Sequence, residues 1–192
     1  YREIATLMSE DSSVVTIHMV ASLDGFIEGK DGDISWMETS DSYPGGISDE
    51  EFETLSTETL SKIDCYVVGS RTYEMAEEFG WPYGETPTYV LTSRDLSSER
   101  ESVSFYSGDL NSFLENELNP KFKNIWLVGG SVVVKDFIQQ NLANEIVITF
   151  APYLLGNGTP FFDLLETERA LHLKDVTAFK NGYVEMTYEI KD

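Results

Sequence analysis

Three short stretches of this chain carry the residue types that hold a phosphate: Gly69-Ser70-Arg71-Thr72, Thr92-Ser93-Arg94 and Gly129-Gly130-Ser131. Glycine lets a backbone approach a phosphate closely, and a helix N-terminus offers unpaired N–H groups at the positive end of its dipole. Taken singly, a Gly-Gly is more often only a tight turn, and a Ser-Arg after a strand more often a solvated loop. Three at matched places point to a ligand with more than one phosphate. No Gly-x-Gly-x-x-Gly follows the first apolar segment and no Gly-Lys-Ser/Thr is present, so neither the standard dinucleotide fingerprint nor a Walker loop is expected.

Carboxylates form the second set. On a helical wheel for residues 48–62, Phe52, Leu55, Leu60 and Ile63 fall on one face, flanked by Asp49 and Glu53, while Glu50, Glu51 and Glu58 point away. A carboxylate partly buried at such an edge would have a raised pKa and could orient a nitrogen heterocycle or deliver a proton. The plain alternative is a surface acid, or for Asp49 a first-turn residue favoured by the dipole. Asp24, in an Asp-Gly turn at the mouth of a long loop, is a turn former first and an active-site candidate second. Trp36 and Trp81 could line a ring-binding pocket, although packing is the default for isolated aromatics.

The elements that must position these residues alternate. Residues 14–20 read as a β-branched strand and 21–46 as a long loop of the kind that is usually functional. Ser48 and Glu51 form a capping box for a helix to about Lys62. Strands are expected at 65–69, 88–92, 103–106, 125–128 and 146–150, and helices at 72–79, from the Asp109 cap to about 118, and at 132–140. Two alternating runs, 172–179 and 183–190, flank Lys180-Asn181-Gly182 and read as a hairpin. The order predicts an α/β fold: a mixed, mostly parallel sheet of about eight strands, helices on both faces and a C-terminal hairpin. Ligands of such sheets gather beyond the carboxyl ends of the strands, where the three phosphate-type stretches fall.

Composition narrows the function classes. A net charge of −21 disfavours nucleic acid and anionic membranes, both polyanions. No apolar run spans a bilayer, and the first 13 residues lack the basic and apolar segments of a secretory signal. We therefore expect a cytoplasmic protein, with a flexible extension over 1–13 and one domain over 14–192. Cys65 is the only cysteine and sits in an apolar stretch, so it reads as core; with His18 and His172 far apart, no zinc spacing exists and no metal is expected.

The ordered set Ala21-Ser22-Leu23-Asp24-Gly25-Phe26-Ile27, Val68-Gly69-Ser70-Arg71-Thr72-Tyr73-Glu74, Leu91-Thr92-Ser93-Arg94, Leu127-Val128-Gly129-Gly130 and Leu155-Gly156-Asn157-Gly158-Thr159-Pro160-Phe161-Phe162 resembles the dihydrofolate-reductase superfamily. Within it, the set is most similar to the reductase domain of bacterial bifunctional riboflavin-biosynthesis proteins, and the likeness covers about 14–190. The resemblance implies NADPH as cofactor, with its pyrophosphate on Gly69, Ser70, Arg71, Thr72 and on Val128, Gly129, Gly130, Ser131, Val132. It implies Leu91, Thr92, Ser93 and Arg94 around the 2′-phosphate, and Ala21 with its following loop beside the nicotinamide. Trp36, Phe52 and Thr149 would face the substrate, and Glu53, Asp49 or Asp24 would be the acid. The activity implied is hydride transfer to a pyrimidine, of the 5-amino-6-(5-phosphoribosylamino)uracil reductase type. Dihydrofolate or pterin reduction, or a nucleotide-binding module without turnover, are the alternatives. Relatives of this type pair, so a homodimer is expected. The His-x-Glu and Pro-Cys-x-x-Cys ligands of the zinc deaminase half do not occur in this sequence, so a free-standing reductase-type domain is expected.

Overall fold

The computed structural model describes residues 13–191. The expected N-terminal extension therefore lies outside the described residues, except Ser13, which is buried with its hydroxyl donating to the Phe122 carbonyl.

Among the described residues ten strands and four α-helices follow in the order β1 (Val14–Ser22), β2 (Phe26–Glu28), α1 (Asp49–Ser61), β3 (Cys65–Gly69), α2 (Ser70–Phe79), β4 (Thr88–Leu91), β5 (Val103–Tyr106), α3 (Leu110–Phe113), β6 (Asn124–Gly129), α4 (Ser131–Gln139), β7 (Glu145–Ala151), β8 (Thr159–Pro160), β9 (Leu171–Ala178) and β10 (Val184–Ile190). The main sheet has eight strands in the order β5-β4-β3-β6-β1-β7-β10-β9. The first six are parallel, and β10 and β9 close the sheet antiparallel. That is the α/β architecture expected from the sequence.

Alternation along the strands separates two faces. One carries Val15, Ile17, Cys65, Val67, Ile125 and Leu127, packed under Phe113 and Leu118 of the α3 region and Val134 and Phe137 of α4. Burial pushes the Cys65 thiol up to about 12, consistent with an inert core residue. On the opposite face, α2 covers only the β3, β4 and β5 side, through Tyr66, Val68, Val90, Tyr73 and Ala76. Over β6, β1, β7 and β10 that face is left to α1.

The local signals act as their chemistry requires. Ser48 accepts from the Glu51 N–H and Glu51 accepts from the Ser48 N–H, the reciprocal capping box. Asp109 accepts from the Ser112 N–H at 2.7 Å and starts α3, which continues as a π-helical turn over Leu114–Leu118. Three details differ from the sequence reading. The segment 21–46 contains β2, which pairs with β8 as a separate two-stranded sheet that three and two residues are too short to announce. Helices α2 and α4 begin directly on the strand-ending glycines, at Ser70 and Ser131, one or two residues earlier than expected. The hairpin closes through a three-residue connection: Phe179 and Tyr183 pair, Gly182 takes the left-handed conformation (φ 82°), and Asn181 does not.

Candidate functional site

The strand-ending turns come first, because the parallel order brings them together. β3 lies beside β6, so the turn opening α2 meets the turn opening α4. The contact is close: a Cβ on Gly69 would come 3.2 Å from Val133 Cγ2 and 3.5 Å from the Gly129 carbonyl oxygen, and one on Gly130 would sit 4.0 Å from Thr72 Oγ1. Gly129 has φ +116°, and a Cβ there would come 2.8 Å from Met19 Sδ and Cε. The Gly129–Gly130 peptide is cis. Neither Gly69 nor Gly130 offers a side chain to cap the helix that follows, so the first-turn N–H groups of α2 and α4 are left without side-chain acceptors at the caps. Ser131 is buried, with its hydroxyl given to the Pro160 carbonyl at 2.6 Å; Val132 and Arg71 are exposed.

One strand further out, Thr92, Ser93 and Arg94 follow β4. Thr92 Oγ1 accepts from the Arg94 N–H at 3.0 Å. The Arg94 guanidinium forks onto Glu74 of α2, with one bond at 3.1 Å; that pairing holds the Glu74 carboxyl below the usual carboxylate range. Asp95, next in the chain, is exposed and forms no bridge to Arg94 among the described residues. Arg71 Nη2 lies 3.5 Å from Glu28 Oε2. Both candidate phosphate cations thus rest on carboxylates. The Arg94–Glu74 pair is exposed on both sides, and such a pair is worth little and exchanges readily, whereas Arg71 is exposed beside a largely buried Glu28.

The second feature is a cleft of about 1030 Å³ between α1 and the bare half of the sheet. Its floor is one strand face: His18 and Val20 of β1, Trp126 of β6, Val147 and Thr149 of β7 and Glu185 of β10. His18 stacks on Trp126 with ring centroids 4.4 Å apart. Thr149 donates its hydroxyl to Glu185 Oε2 at 2.8 Å, and His18 Nε2 lies 3.9 Å from the same oxygen. His18 first, then Thr149, holds the Glu185 carboxyl below its ordinary value against the opposing effect of burial.

The roof is α1, and it contains no buried residue. Phe52, Leu55 and Leu60, the apolar stripe of the wheel, are 49%, 47% and 53% exposed and look into the cleft. Ile63, just past the helix, is the member of the stripe that reaches the core. The helix is held at its start by the hairpin: Ile47 N–H donates to the Ala178 carbonyl, Tyr43 N–H to that of Lys180, and Phe52 meets Phe179 edge-on at 5.4 Å. Tyr183 adds a hydrogen bond to the Met37 carbonyl.

The expected site residues therefore divide. Phe52, Thr149, Asp49 and Glu53 line the cleft. Glu53 is exposed, so the partly buried carboxylate expected on this helix is not there; the half-buried one is Glu185 on the opposite wall. Asp24 is outside the lining. It accepts from Ser22 Oγ at 2.6 Å and from the Leu155 and Gly156 N–H groups at 3.0 and 2.7 Å, so it clips two loops together, and the Ser22 bond chiefly keeps its carboxyl low. Trp36 and Trp81 are buried, donating to the Asp33 and Gly84 carbonyls, and neither reaches the cleft. Ala21 is fully buried, its side chain in the core cluster of the other face. Sequence reasoning missed His18, Trp126 and Glu185. The available signal was strand alternation, which places His18 with Val20 and Glu185 with Tyr183 and Thr187 on one face. Among the described residues no group of three or more His, Cys, Asp or Glu is arranged to hold a metal ion, and no helix is long and apolar enough to cross a membrane.

Residues 13–185 match the model of the RibD C-terminal domain. The chain belongs to the RibD C-terminal domain family. The chain is similar to the uncharacterized protein YwjB of Bacillus subtilis, 31% identical over 165 residues that make up 85% of this chain and 90% of that protein. Among solved structures, a putative riboflavin biosynthesis protein from Shewanella sp. PV-4 aligns with a TM-score of 0.78 at 26% identity, covering 93% of this chain and 99% of that one. A dihydrofolate reductase from Enterococcus faecalis, complexed with NADP(H) and RAB-propyl, shares the fold at a TM-score of 0.59 and 21% identity, over 93% and 97% of the two chains. The RibD C-terminal fold is thus the dihydrofolate-reductase-like fold here, with its cleft on the β1–β7 side.

Proposed function

We propose that this RibD C-terminal-type domain is an NADPH-dependent reductase that transfers hydride to a planar nitrogen heterocycle, a pyrimidine or pterin, bound in the cleft beneath α1. The observation that carries the reading is the abutment of the Gly69 and Gly130 turns, each opening a helix with no side-chain cap, where a Cβ would fill the gap between them. Two helix N-termini converging on bare backbone suit a pyrophosphate. The family match and the NADP(H) named with the Enterococcus faecalis structure support the same cofactor.

In this reading the residues 69–72 and 128–132 hold the pyrophosphate, and Thr92, Ser93, Arg94 and Arg71 hold the 2′-phosphate. Bound NADPH supplies the hydride. The chain's own residues do the rest. Trp126 with His18 gives a flat floor and Phe52 a roof, so a planar ring is held between them and water is displaced from its faces. Glu185 and Thr149 fix the ring's polar edge, and Glu53 or Asp49 on α1 relays from solvent the proton that accompanies hydride addition.

Titrating NADPH and NADH into the protein calorimetrically tests this. Tight binding of NADPH with weaker NADH supports the reading, and equal binding removes the assigned role of Arg94; binding of neither removes the reductase.

We also propose that the chain pairs with a second copy through the β9 edge, where Leu171, Leu173 and Val176 are exposed side by side on the α4 side of the sheet, opposite the cleft.

A further inference from the structure

The cleft has an electrostatic character that bears on which heterocycle it takes. Among the described residues Asp41, Asp49, Glu53, Asp175 and Glu185 line it, against one lysine, Lys180, and no arginine. Lys180 Nζ already lies 3.9 Å from Asp49 Oδ2. A phosphomonoester carries close to two negative charges near neutral pH and is held by guanidinium forks, ammonium groups or a free helix N-terminus. The helix N-terminus at this cleft is that of α1, and it is taken: Ser48 and Glu51 close the capping box, and Asp49, Glu50 and Glu51 fill the first turn. The one backbone feature that could replace a cation is therefore satisfied and surrounded by negative charge.

The floor is arranged for the opposite kind of group. Thr149 and His18 both address Glu185 Oε2, and among the described residues no donor takes Oε1. A half-buried carboxylate oxygen beside a stacked His18–Trp126 platform accepts N–H donors from the edge of a ring lying on that platform. It repels an anion placed there.

We propose that the cleft selects a heterocycle without a phosphate, its N–H edge bound by the Glu185 carboxylate. The inference rests on the reductase reading and narrows its substrate class: a phosphoribosyl-bearing pyrimidine would have to carry a dianion past five carboxylates. The reaction that supplies the substrate is then one that removes the phosphate or never adds it.

The test uses two probes that differ only in the phosphate, 6-(ribitylamino)uracil and its 5′-phosphate, titrated calorimetrically into the protein saturated with NADP⁺, which permits binding without turnover. The phosphate-free probe is expected to bind at least about tenfold tighter in low salt, with the gap shrinking as salt is raised. Glu185→Gln should weaken the phosphate-free probe about tenfold, and Asp49→Asn with Asp175→Asn should narrow the gap between the two probes. The salt dependence in the unaltered protein stands independently of how well any variant folds. Equal or tighter binding of the phosphate form overturns the inference and leaves the reductase reading intact. Binding of neither probe to protein that does bind NADP⁺ overturns both the inference and the heterocycle reading.

Discussion

Thr149 and Glu185 face each other in register across β7 and β10, with the threonine hydroxyl 2.8 Å from the carboxylate. The pair puts a charged acceptor on the cleft floor at the boundary between the parallel body of the sheet and its antiparallel edge. The helix that covers the floor brings its own acids from the other side, so the cleft has carboxylates on both walls and aromatic rings between them.

The Glu185 carboxyl gives a pH signature. Its folded pKa is lowered, chiefly by His18, so its contribution to stability is present above the ordinary glutamate value and is lost as pH falls through the depressed folded one. Glu185→Gln should therefore melt below the unaltered protein at neutral pH, and the two melting curves should converge in acid. A constant difference across the range would show that the carboxylate is not stabilised by its neighbours.

The two glycine turns should respond differently to a methyl group. Gly129→Ala forces an L residue to φ +116°, a cost of about 1–3 kcal/mol, and presses on Met19. Gly69 has φ −78°, an ordinary value, so Gly69→Ala need only displace Val133 Cγ2 from 3.2 Å. Chemical denaturation should show the Gly129 variant clearly the less stable, while both lose NADPH affinity because both line the same cradle.

Arg94 and Glu74 should act in opposite directions. Arg94→Ala removes a charge-assisted bond of about 1.5–3 kcal/mol to the 2′-phosphate and should weaken NADPH about ten- to hundredfold. Glu74→Gln releases the guanidinium from its present partner and should strengthen NADPH. NADH, which lacks that phosphate, should be indifferent to both, and calorimetric titration of the two cofactors reads the difference.

The exposed β9 face makes a prediction about assembly. Sedimentation should give twice the 21.6 kDa chain mass, and Leu173→Lys with Val176→Lys should return it to one chain without changing its fold.

What the sequence disclosed and what it hid have physical reasons. Cys65–Gly69 and Val103–Tyr106 are read to the residue, because short apolar runs between breakers have few alternatives. Ser48 and Asp109 are read as caps because capping is local chemistry. The glycine turns that open α2 and α4 are legible for the same reason. The cleft is not, since its floor joins β6, β1, β7 and β10, which come together only in the sheet order. Glu185 looks like the solvent face of a hairpin strand, and its partner Thr149 is 36 residues away. The stripe of α1 was legible as apolar, but a wheel cannot distinguish a face that packs from one that roofs a cavity.

The central claim, hydride transfer in the cleft, is tested most directly by isotope. The protein is incubated with NADPH deuterated at the transferable C4 position and a set of pyrimidine and pterin acceptors, and the recovered heterocycles are analysed by mass spectrometry. One deuterium is expected in the reduced product of an accepted substrate, on the ring of a pterin or on the sugar-derived carbon of a ribosylamino pyrimidine, greatly diminished when Phe52 is replaced by Ala. Protein that binds both NADPH and a heterocycle yet leaves every acceptor free of deuterium would contradict hydride transfer in the cleft.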